Sequence, residues 1–327
     1  MTGELTPVRV TEKLVRPPST ISPTAQEALS TSAAMPRAAW PDASDISGWR
    51  AAVEQSDVTW DGVVAPLLAS VQASMETREI AGVRCHVATP AGSADASRVY
   101  LYLHGGAFVF GGGSFAKAFG GLNADKLGLR TVSVDYRMPP DHPFPAAPHD
   151  CLAVYRELIA TTDAKRIVIG GSSAGGNLAA ATTLMIRDQG LPLPAGVVLL
   201  TPEIDLTESG DSFATNCELD VVLKGSLKQC NLLYAGGHDL AAPYLSPLFA
   251  DLSGFPPTLV QSGTRDLFLS NSVLIHRKLR SAGVDAELHV WEAMPHGSFG
   301  IGGSAPENAE IHAEVKRFID RVCPHQP

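Results

Sequence analysis

Short apolar, β-branched runs alternate with helix-like segments from about residue 76 to the end of the chain. The runs are apolar almost throughout, which is typical of strands covered on both faces, as in a parallel sheet. Such alternation predicts an α/β fold: a mostly parallel central sheet flanked by helices. The predicted strands are 98–103, 131–134, 166–169, 197–200, 258–261 and 287–291, and the predicted helices are 151–159, 178–186, 272–279 and 311–322.

Two regions depart from this alternation. Residues 1–45 are rich in Ser, Thr, Pro and Ala and can bury little surface alone, so we expect them to be loose or docked on the main body. A helix is expected to start at Asp42 or Asp45 and to run towards Val53, and a second amphipathic segment covers 60–71. Residues 201–257 contain no convincing strand. Because a structureless loop of that length is improbable in a compact domain, 213–234 is predicted to be helical and part of a cap.

Composition narrows the class of protein. Hydrophobic residues make up 45% of the 327 residues, enough for a large core. The formal net charge of -9 disfavours binding to nucleic acid, because an acidic surface repels phosphate. The five cysteines include no CxxC pair, so neither a zinc site nor a disulfide framework is predicted. No apolar segment is long enough to span a membrane, and we expect a cytoplasmic protein.

A candidate nucleophile lies in Gly171-Ser172-Ser173-Ala174-Gly175. This G-x-S-x-G string follows the predicted strand at 166–169 and opens a helix, which is the strand, sharp turn and helix of a nucleophile elbow. Small flanking residues let such a turn pack closely, and the helix N-terminus supplies positive potential. The alternative is an ordinary turn in which Ser173 only caps the helix.

A second glycine motif, His104-Gly105-Gly106-Ala107, follows the strand at 98–103. Backbone N–H groups in such a loop can approach a ligand unobstructed and stabilise the oxyanion of a tetrahedral intermediate. We predict that Gly105, Gly106 and Ala174 supply these donors. The alternative is a glycine-rich surface loop.

A serine hydroxyl needs a base to take its proton. Among ten histidines, His296 stands directly after the strand at 287–291, in a loop at the carboxyl end of the sheet, where functional groups gather. Asp266 follows the strand at 258–261 and completes the chain order Ser, Asp, His. Asp266 could instead cap the next helix, with Asp251 and Asp285 as weaker candidates for the acid.

These motifs resemble those of the hormone-sensitive-lipase family of bacterial esterases. Besides the two glycine motifs, Asp266 and His296, the stretch from Tyr136-Arg137 to the run at 141–147 is similar to a signature of that family. The resemblance implies an α/β-hydrolase fold with a helical cap. The implied division is an N-terminal segment contributing to the cap (1–75), a core (76–204 and 241–327) and a helical cap insertion (205–240). The stretches 205–216 and 267–280 also resemble monoterpene ε-lactone hydrolases.

The predicted activity is hydrolysis of small to medium carboxylic esters through an acyl-enzyme, without metal or organic cofactor. A lactone hydrolase would use the same residues, an amidase remains an alternative, and a non-catalytic receptor module would normally lack the nucleophile or the base. The partner is therefore a small-molecule ester or lactone, and a homodimer is left open. Residues expected to line the pocket, or else to belong to the core or anchor the cap, are Phe108, Phe110, Glu203 and Phe213.

Overall fold

The computed structural model describes residues 12, 14–92 and 97–325, so the first part of the predicted loose N-terminus lies outside the described residues. The helices in this part of the chain are α1 (Pro23–Ala33), α2 (Ile46–Ser70), α3 (Ser114–Leu127), α4 (Ala146–Ile159), α5 (Ala174–Asp188), α6 (Ser212–Thr215), α7 (Lys228–Ala235), α8 (Leu269–Ser281) and α9 (Pro306–Val322). The strands are β1 (Ser74–Ile80), β2 (Val83–Thr89), β3 (Val99–Leu103), β4 (Arg130–Val134), β5 (Ile167–Ser172), β6 (Gly196–Leu200), β7 (Thr258–Gly263) and β8 (Ala286–Trp291).

One eight-stranded sheet has the order β1-β2-β4-β3-β5-β6-β7-β8. The strands β3 to β8 are mutually parallel, whereas β2 pairs antiparallel with β4 and β1 antiparallel with β2. The predicted fold class is confirmed, and each of the six predicted strands is present. The two antiparallel strands β1 and β2 were not predicted. The edge strand β1 is largely exposed and carries charged residues, so it lacks the apolar pattern of the buried strands.

Helices cover both faces of the sheet. Residues of alternating parity on β3 and β5 enter different clusters: Leu101 and Ile169 pack with α4 and α5, whereas Tyr100 and Val168 pack with α3 and α9. This burial on both faces explains why the strands are apolar throughout, since odd-numbered and even-numbered side chains are both covered by helices. The carboxyl ends of the parallel strands therefore form one edge at which the intervening loops meet.

The N-terminal segment docks on the main body through two helices. Ile21 and Leu29, in and beside α1, pack with Met294 and Phe299. The prediction of two separate helical segments at 42–53 and 60–71 was wrong, because α2 is a single helix of 25 residues. Asp45, one of the two residues expected to start the helix, caps it by accepting the Gly48 N–H. The polar stretch in its middle is exposed, so it removes the apolar pattern without interrupting the helix.

The insertion between β6 and β7 contains less helix than the sequence predicts. Only α6 and α7, of four and eight residues, overlap the segment predicted as helix at 213–234. Between them the Asp220 side chain binds the N–H groups of Val222 and Leu223, and Gly225 has a φ of 137°. Local side-chain bonds of this type replace helical backbone bonds. Among the described helices, none combines the length and the apolar character that crossing a membrane requires.

Candidate active site

Ser173 occupies the sharp turn between β5 and α5, with φ 59° and ψ −124°. This conformation is sterically unfavourable for a residue with a side chain, so surrounding contacts must hold it. The Ser173 N–H donates to the Leu200 carbonyl at 2.9 Å, and the Glu203 N–H donates to the Ser173 carbonyl at 3.3 Å. The turn is therefore attached to the end of the neighbouring strand β6.

The glycines around Ser173 are required by close backbone packing. A Cβ atom on Gly171 would lie 2.4 Å from the Leu103 carbonyl oxygen, and one on Gly175 would lie 2.0 Å from the same atom. Atoms cannot approach so closely, so any larger residue would push the turn away from β3. The spacing of G-x-S-x-G thus reflects the passage of β3 beneath the turn.

The loop after β3 lies against this turn. A Cβ on Gly105 would be 3.3 Å from Cβ of Ser173, which places the loop backbone beside the nucleophile. Gly106 has a φ of 123°, and a Cβ there would meet the Phe110 carbonyl oxygen at 2.1 Å. In the described part of the chain, the N–H groups of Gly105, Gly106 and Ala174 have no backbone acceptor. The predicted oxyanion donors are therefore brought to one place with their hydrogens available.

His104 and Tyr136 support this loop from below. Their rings stack at a centroid distance of 4.1 Å, and the Tyr136 hydroxyl donates to the His104 carbonyl at 2.7 Å. Burial lowers the pKa of His104 to about 4, so its ring is neutral at physiological pH. Nδ1 of His104 lies 2.8 Å from the Gly105 carbonyl oxygen and donates its proton to it. His104 is thus a structural support of the loop.

His296 and Asp266 form the predicted acid and base pair in space. Nδ1 of His296 lies 3.0 Å from Oδ1 of Asp266, which is fully buried. Asp266 also accepts the Ser262 hydroxyl at 2.6 Å and the Phe268 N–H at 3.0 Å. These bonds orient the carboxylate, and the carboxylate in turn places the proton of the imidazole on Nδ1, leaving Nε2 as the basic nitrogen.

Ser173 and His296 follow β5 and β8, which are separated in the sheet by β6 and β7. Both are nearly buried, at 8% and 7% exposure. Among the hydrogen bonds of the described residues, none joins the Ser173 hydroxyl to the imidazole. Hydrogen bonds between a nucleophile and its base are often long without substrate and shorten in the substrate complex.

An apolar cluster connects the two sides of the site. Phe110, from the glycine-rich loop, packs against Trp40 and Trp49 of the N-terminal segment, at centroid distances of 5.3 and 6.3 Å. In the same cluster Phe213 lies 5.7 Å from Phe268. The Phe268 ring in turn meets the His296 ring edge-on at 4.9 Å. Side chains from the glycine-rich loop, the N-terminal segment and the insertion therefore form one packed cluster, which extends from Ala107 to the His296 ring.

The other two predicted pocket residues lie deeper. Phe108 is fully buried and stacks on Tyr234 at 4.1 Å within the main core. Glu203 is also fully buried, and among the described residues no hydrogen bond reaches either of its carboxyl oxygens. Burial raises the pKa of Glu203 to about 8, although the nearby Asn231 amide opposes this shift. Glu203 is thus a neutral acid beneath the elbow at pH 7.

A cavity of about 820 Å³ lies elsewhere, between α2 and the region of Gly111 to Gly113. Its lining includes Trp60, Asp135 and Arg137, but none of Ser173, Asp266 and His296. The cavity is therefore separate from the predicted catalytic residues.

Asp220 is a residue of this site that the motifs did not indicate. It lies in the irregular insertion, where no periodic pattern points to it. One of its carboxylate oxygens lies within 4.8 Å of a carboxylate oxygen of Asp266 and of a ring nitrogen of His296. Three such groups are able to ligate a metal ion. However, N–H groups of Leu267 and His296 point at the Asp220 carboxylate, and that of Phe268 at Asp266. Positive hydrogens directed at these oxygens fit a hydrogen-bond network better than a cation site.

Comparison with known proteins identifies relatives over most of the chain. A family model described as alpha/beta hydrolase fold matches residues 100–300. An esterase of Acinetobacter venetianus is 31% identical over 228 residues, which are 69% of this chain and 75% of that protein. An acetyl-hydrolase of Streptomyces hygroscopicus is 33% identical over 201 residues, covering 61% of this chain and 67% of that protein.

Solved structures agree with this relationship. The crystal structure of one esterase matches with a TM-score of 0.88 at 34% identity, covering 98% of this chain and 99% of the other. An esterase of the bacterial hormone-sensitive lipase family matches with a TM-score of 0.79 at 33% identity, covering 93% and 99%. The chain therefore belongs to the α/β-hydrolase fold family and, within it, to the hormone-sensitive-lipase type of bacterial esterases.

Proposed function

We propose that this enzyme hydrolyses carboxylic esters through an acyl-enzyme on Ser173, with His296 as base and Asp266 as the acid that orients it. The observation that carries the proposal is the buried Asp266–His296 pair at the sheet edge where a strained serine faces the amides of a glycine loop. These are the parts that acyl transfer needs: nucleophile, base, orienting acid and oxyanion donors.

The reaction proceeds in two halves. Nε2 of His296 takes the Ser173 hydroxyl proton while Oγ attacks the ester carbonyl, and the N–H groups of Gly105, Gly106 and Ala174 hold the oxyanion. The imidazolium then gives its proton to the departing alcohol, leaving the acyl group on Ser173. Water, deprotonated by His296, repeats the attack, and the carboxylic acid leaves as the serine regains its proton.

The substrate class follows from the apolar cluster. We assign residues 1–75 and 205–240 to a cap. Trp40 and Trp49 reach from the first segment to Phe110 of the glycine loop, and Phe213 reaches from the second to the Phe268 ring beside His296. Phe110 and Phe213 would contact the acyl or alcohol group, with Phe108 and Glu203 supporting the pocket floor. Such a site favours uncharged, small to medium acyl esters.

The decisive experiment replaces each of two adjacent serines. Ser173→Ala should lower kcat for p-nitrophenyl butyrate by at least about 10³-fold without unfolding the protein, and should abolish covalent labelling by a fluorophosphonate probe. Ser172→Ala is the matched control and should keep activity and labelling. Undiminished hydrolysis by folded Ser173→Ala would refute the proposal.

Further measurements test the preferred substrate, the oligomeric state and the cellular location of the protein. Turnover of ε-lactones against linear p-nitrophenyl esters decides between a lactone hydrolase and an esterase with the same residues. Size-exclusion chromatography tests the homodimer, and cell fractionation tests the cytoplasmic location.

A further inference from the structure

Asp220 connects the cap insertion to both loops that carry the Asp266–His296 pair. Its side chain is fully buried. Oδ2 accepts the Leu267 N–H at 2.8 Å, and this residue directly follows Asp266. The same oxygen accepts the His296 N–H at 3.2 Å, with Oδ1 at 3.4 Å from that nitrogen. One carboxylate thus binds the backbone of both loops.

The same carboxylate is anchored within its own segment. Oδ1 accepts the N–H groups of Val222 and Leu223 at 2.8 and 3.1 Å. Four backbone N–H groups therefore surround Asp220, and together they offset part of the cost of burying its charge. Burial, with the nearby Asp266 carboxylate, still raises the pKa of Asp220 to about 6 despite the opposing His296. At pH 8 the group is ionised and accepts all four donors.

The register of the sheet alone does not position these loops. Asp266 and His296 lie beyond the last paired residues of β7 and β8, Gly263 and Trp291. Their backbones leave the sheet before the two side chains meet, so the 3.0 Å bond between them depends on contacts outside the strands. A misplacement of about 1 Å in such a pair can lower the rate of an enzyme about 10²-fold.

We propose that Asp220 is a positioning residue, which holds the Asp266 and His296 loops in the relative placement that catalysis requires. The geometry of Ser173, His296 and Asp266 then depends on the cap insertion being docked against these loops. The proposal rests on the proposed function of Asp266 and His296. Asp220 touches neither substrate nor the reacting atoms, and acts through the backbone of the two loops.

Asp220→Asn tests this with little change of shape. The amide oxygen can still accept on one side, but the NH₂ group then faces N–H donors on the other, so one set of bonds is lost. Asp220→Ser is a second variant, whose smaller side chain leaves room for water if the amide prevents folding. Asp211→Asn is the control, because Asp211 is an exposed acid of the same insertion whose side chain makes no capping hydrogen bond.

The readout is kcat per serine labelled by a fluorophosphonate probe, at pH 8 and well below the unfolding temperature. We expect both Asp220 variants to lose at least about tenfold in kcat, with KM within about twofold of the wild type. The control should keep the wild-type values. A purely structural role would lower the amount or the melting temperature of the protein and leave kcat per labelled serine unchanged, which would overturn the proposal.

A double-mutant cycle with Asp266→Asn completes the test. Because Asp220 acts through the Asp266–His296 pair, Asp220→Asn should cost far less activity in the Asp266→Asn background than in the wild type. Multiplicative losses would assign the two residues independent effects and would also overturn the proposal. Failure of the proposed function has a different signature, since Ser173→Ala would then keep its activity whatever the Asp220 variants do.

Discussion

Asp266 and His296 are thirty residues apart in the chain, yet Oδ1 of Asp266 lies 3.0 Å from Nδ1 of His296. The bond is nearly closed to solvent, since the exposed fractions of the two side chains are 0% and 7%. Water therefore competes little for it, and the carboxylate can hold one tautomer and stabilise the imidazolium that forms during acyl transfer.

Asp266→Asn should retain the fold and lose most of the activity. The neutral amide no longer stabilises the imidazolium, and an amide NH₂ group that donates to Nδ1 holds the imidazole in the unproductive tautomer. We expect kcat to fall about 10³- to 10⁴-fold in a p-nitrophenyl ester assay. Asp251→Asn, at an exposed acid, should be unaffected, and the reverse result would show that the acid is misassigned.

Gly106→Ala should damage the oxyanion loop. Its φ of 123° disfavours any side chain, and the new Cβ would meet the Phe110 carbonyl oxygen at 2.1 Å. The displaced N–H should lower kcat by about 10²- to 10³-fold. Gly113→Ala is the control, because Gly113 also has a positive φ but open space around its Cβ position. Equal kcat values for the two variants would argue against the loop as an oxyanion site.

Glu203→Gln should change how stability depends on pH. The pKa of Glu203 is raised from 4.5 to about 8 by burial, so between these values the unfolded chain ionises a group that the folded protein keeps protonated. The free energy of unfolding therefore falls as pH rises through this window, by up to about 1.4 kcal/mol per pH unit from this group. Glutamine cannot ionise and should flatten that slope.

Urea denaturation of the wild type and Glu203→Gln at pH 5, 6.5 and 8 measures this difference. Glu218→Gln is the control, because the Glu218 side chain is 81% exposed and should leave the slope unchanged. A variant with the same pH slope as the wild type would mean that Glu203 is ionised in the folded protein.

Phe213→Ala should alter the preference for acyl-chain length. Phe213 reaches the Phe268 ring that borders His296, so its removal takes apolar contact from the proposed pocket. We expect KM to rise about tenfold for p-nitrophenyl octanoate and much less for the acetate, since losing a buried aromatic contact costs about 1.5 kcal/mol or more. Phe249→Ala, at an exposed side chain outside the aromatic cluster, should leave the KM series unchanged. A uniform change along the series would place Phe213 outside the acyl site.

Much of the fold was predictable because its determinants are local. Every residue of a run such as 197–200 is apolar because helices cover both faces of the sheet. An unbroken apolar run of this length can be recognised in the sequence. The glycines beside Ser173 were equally visible, since the close passage of β3 excludes a Cβ at Gly171 and Gly175. Where exposure removes the pattern, as in β1 and the middle of α2, prediction failed.

The sequence by itself determined where the six parallel strands, the elbow and the glycine loop lie, because apolar periodicity and the absence of Cβ atoms act over a few neighbouring residues. Only the tertiary structure decided that Asp266 meets His296, that aromatic side chains of two irregular segments join above the site, and that Asp220 binds both loops. The hydrogen bonds among these contacts join residues 30 to 76 positions apart, and their geometry depends on how loops leave the sheet, which no local pattern specifies.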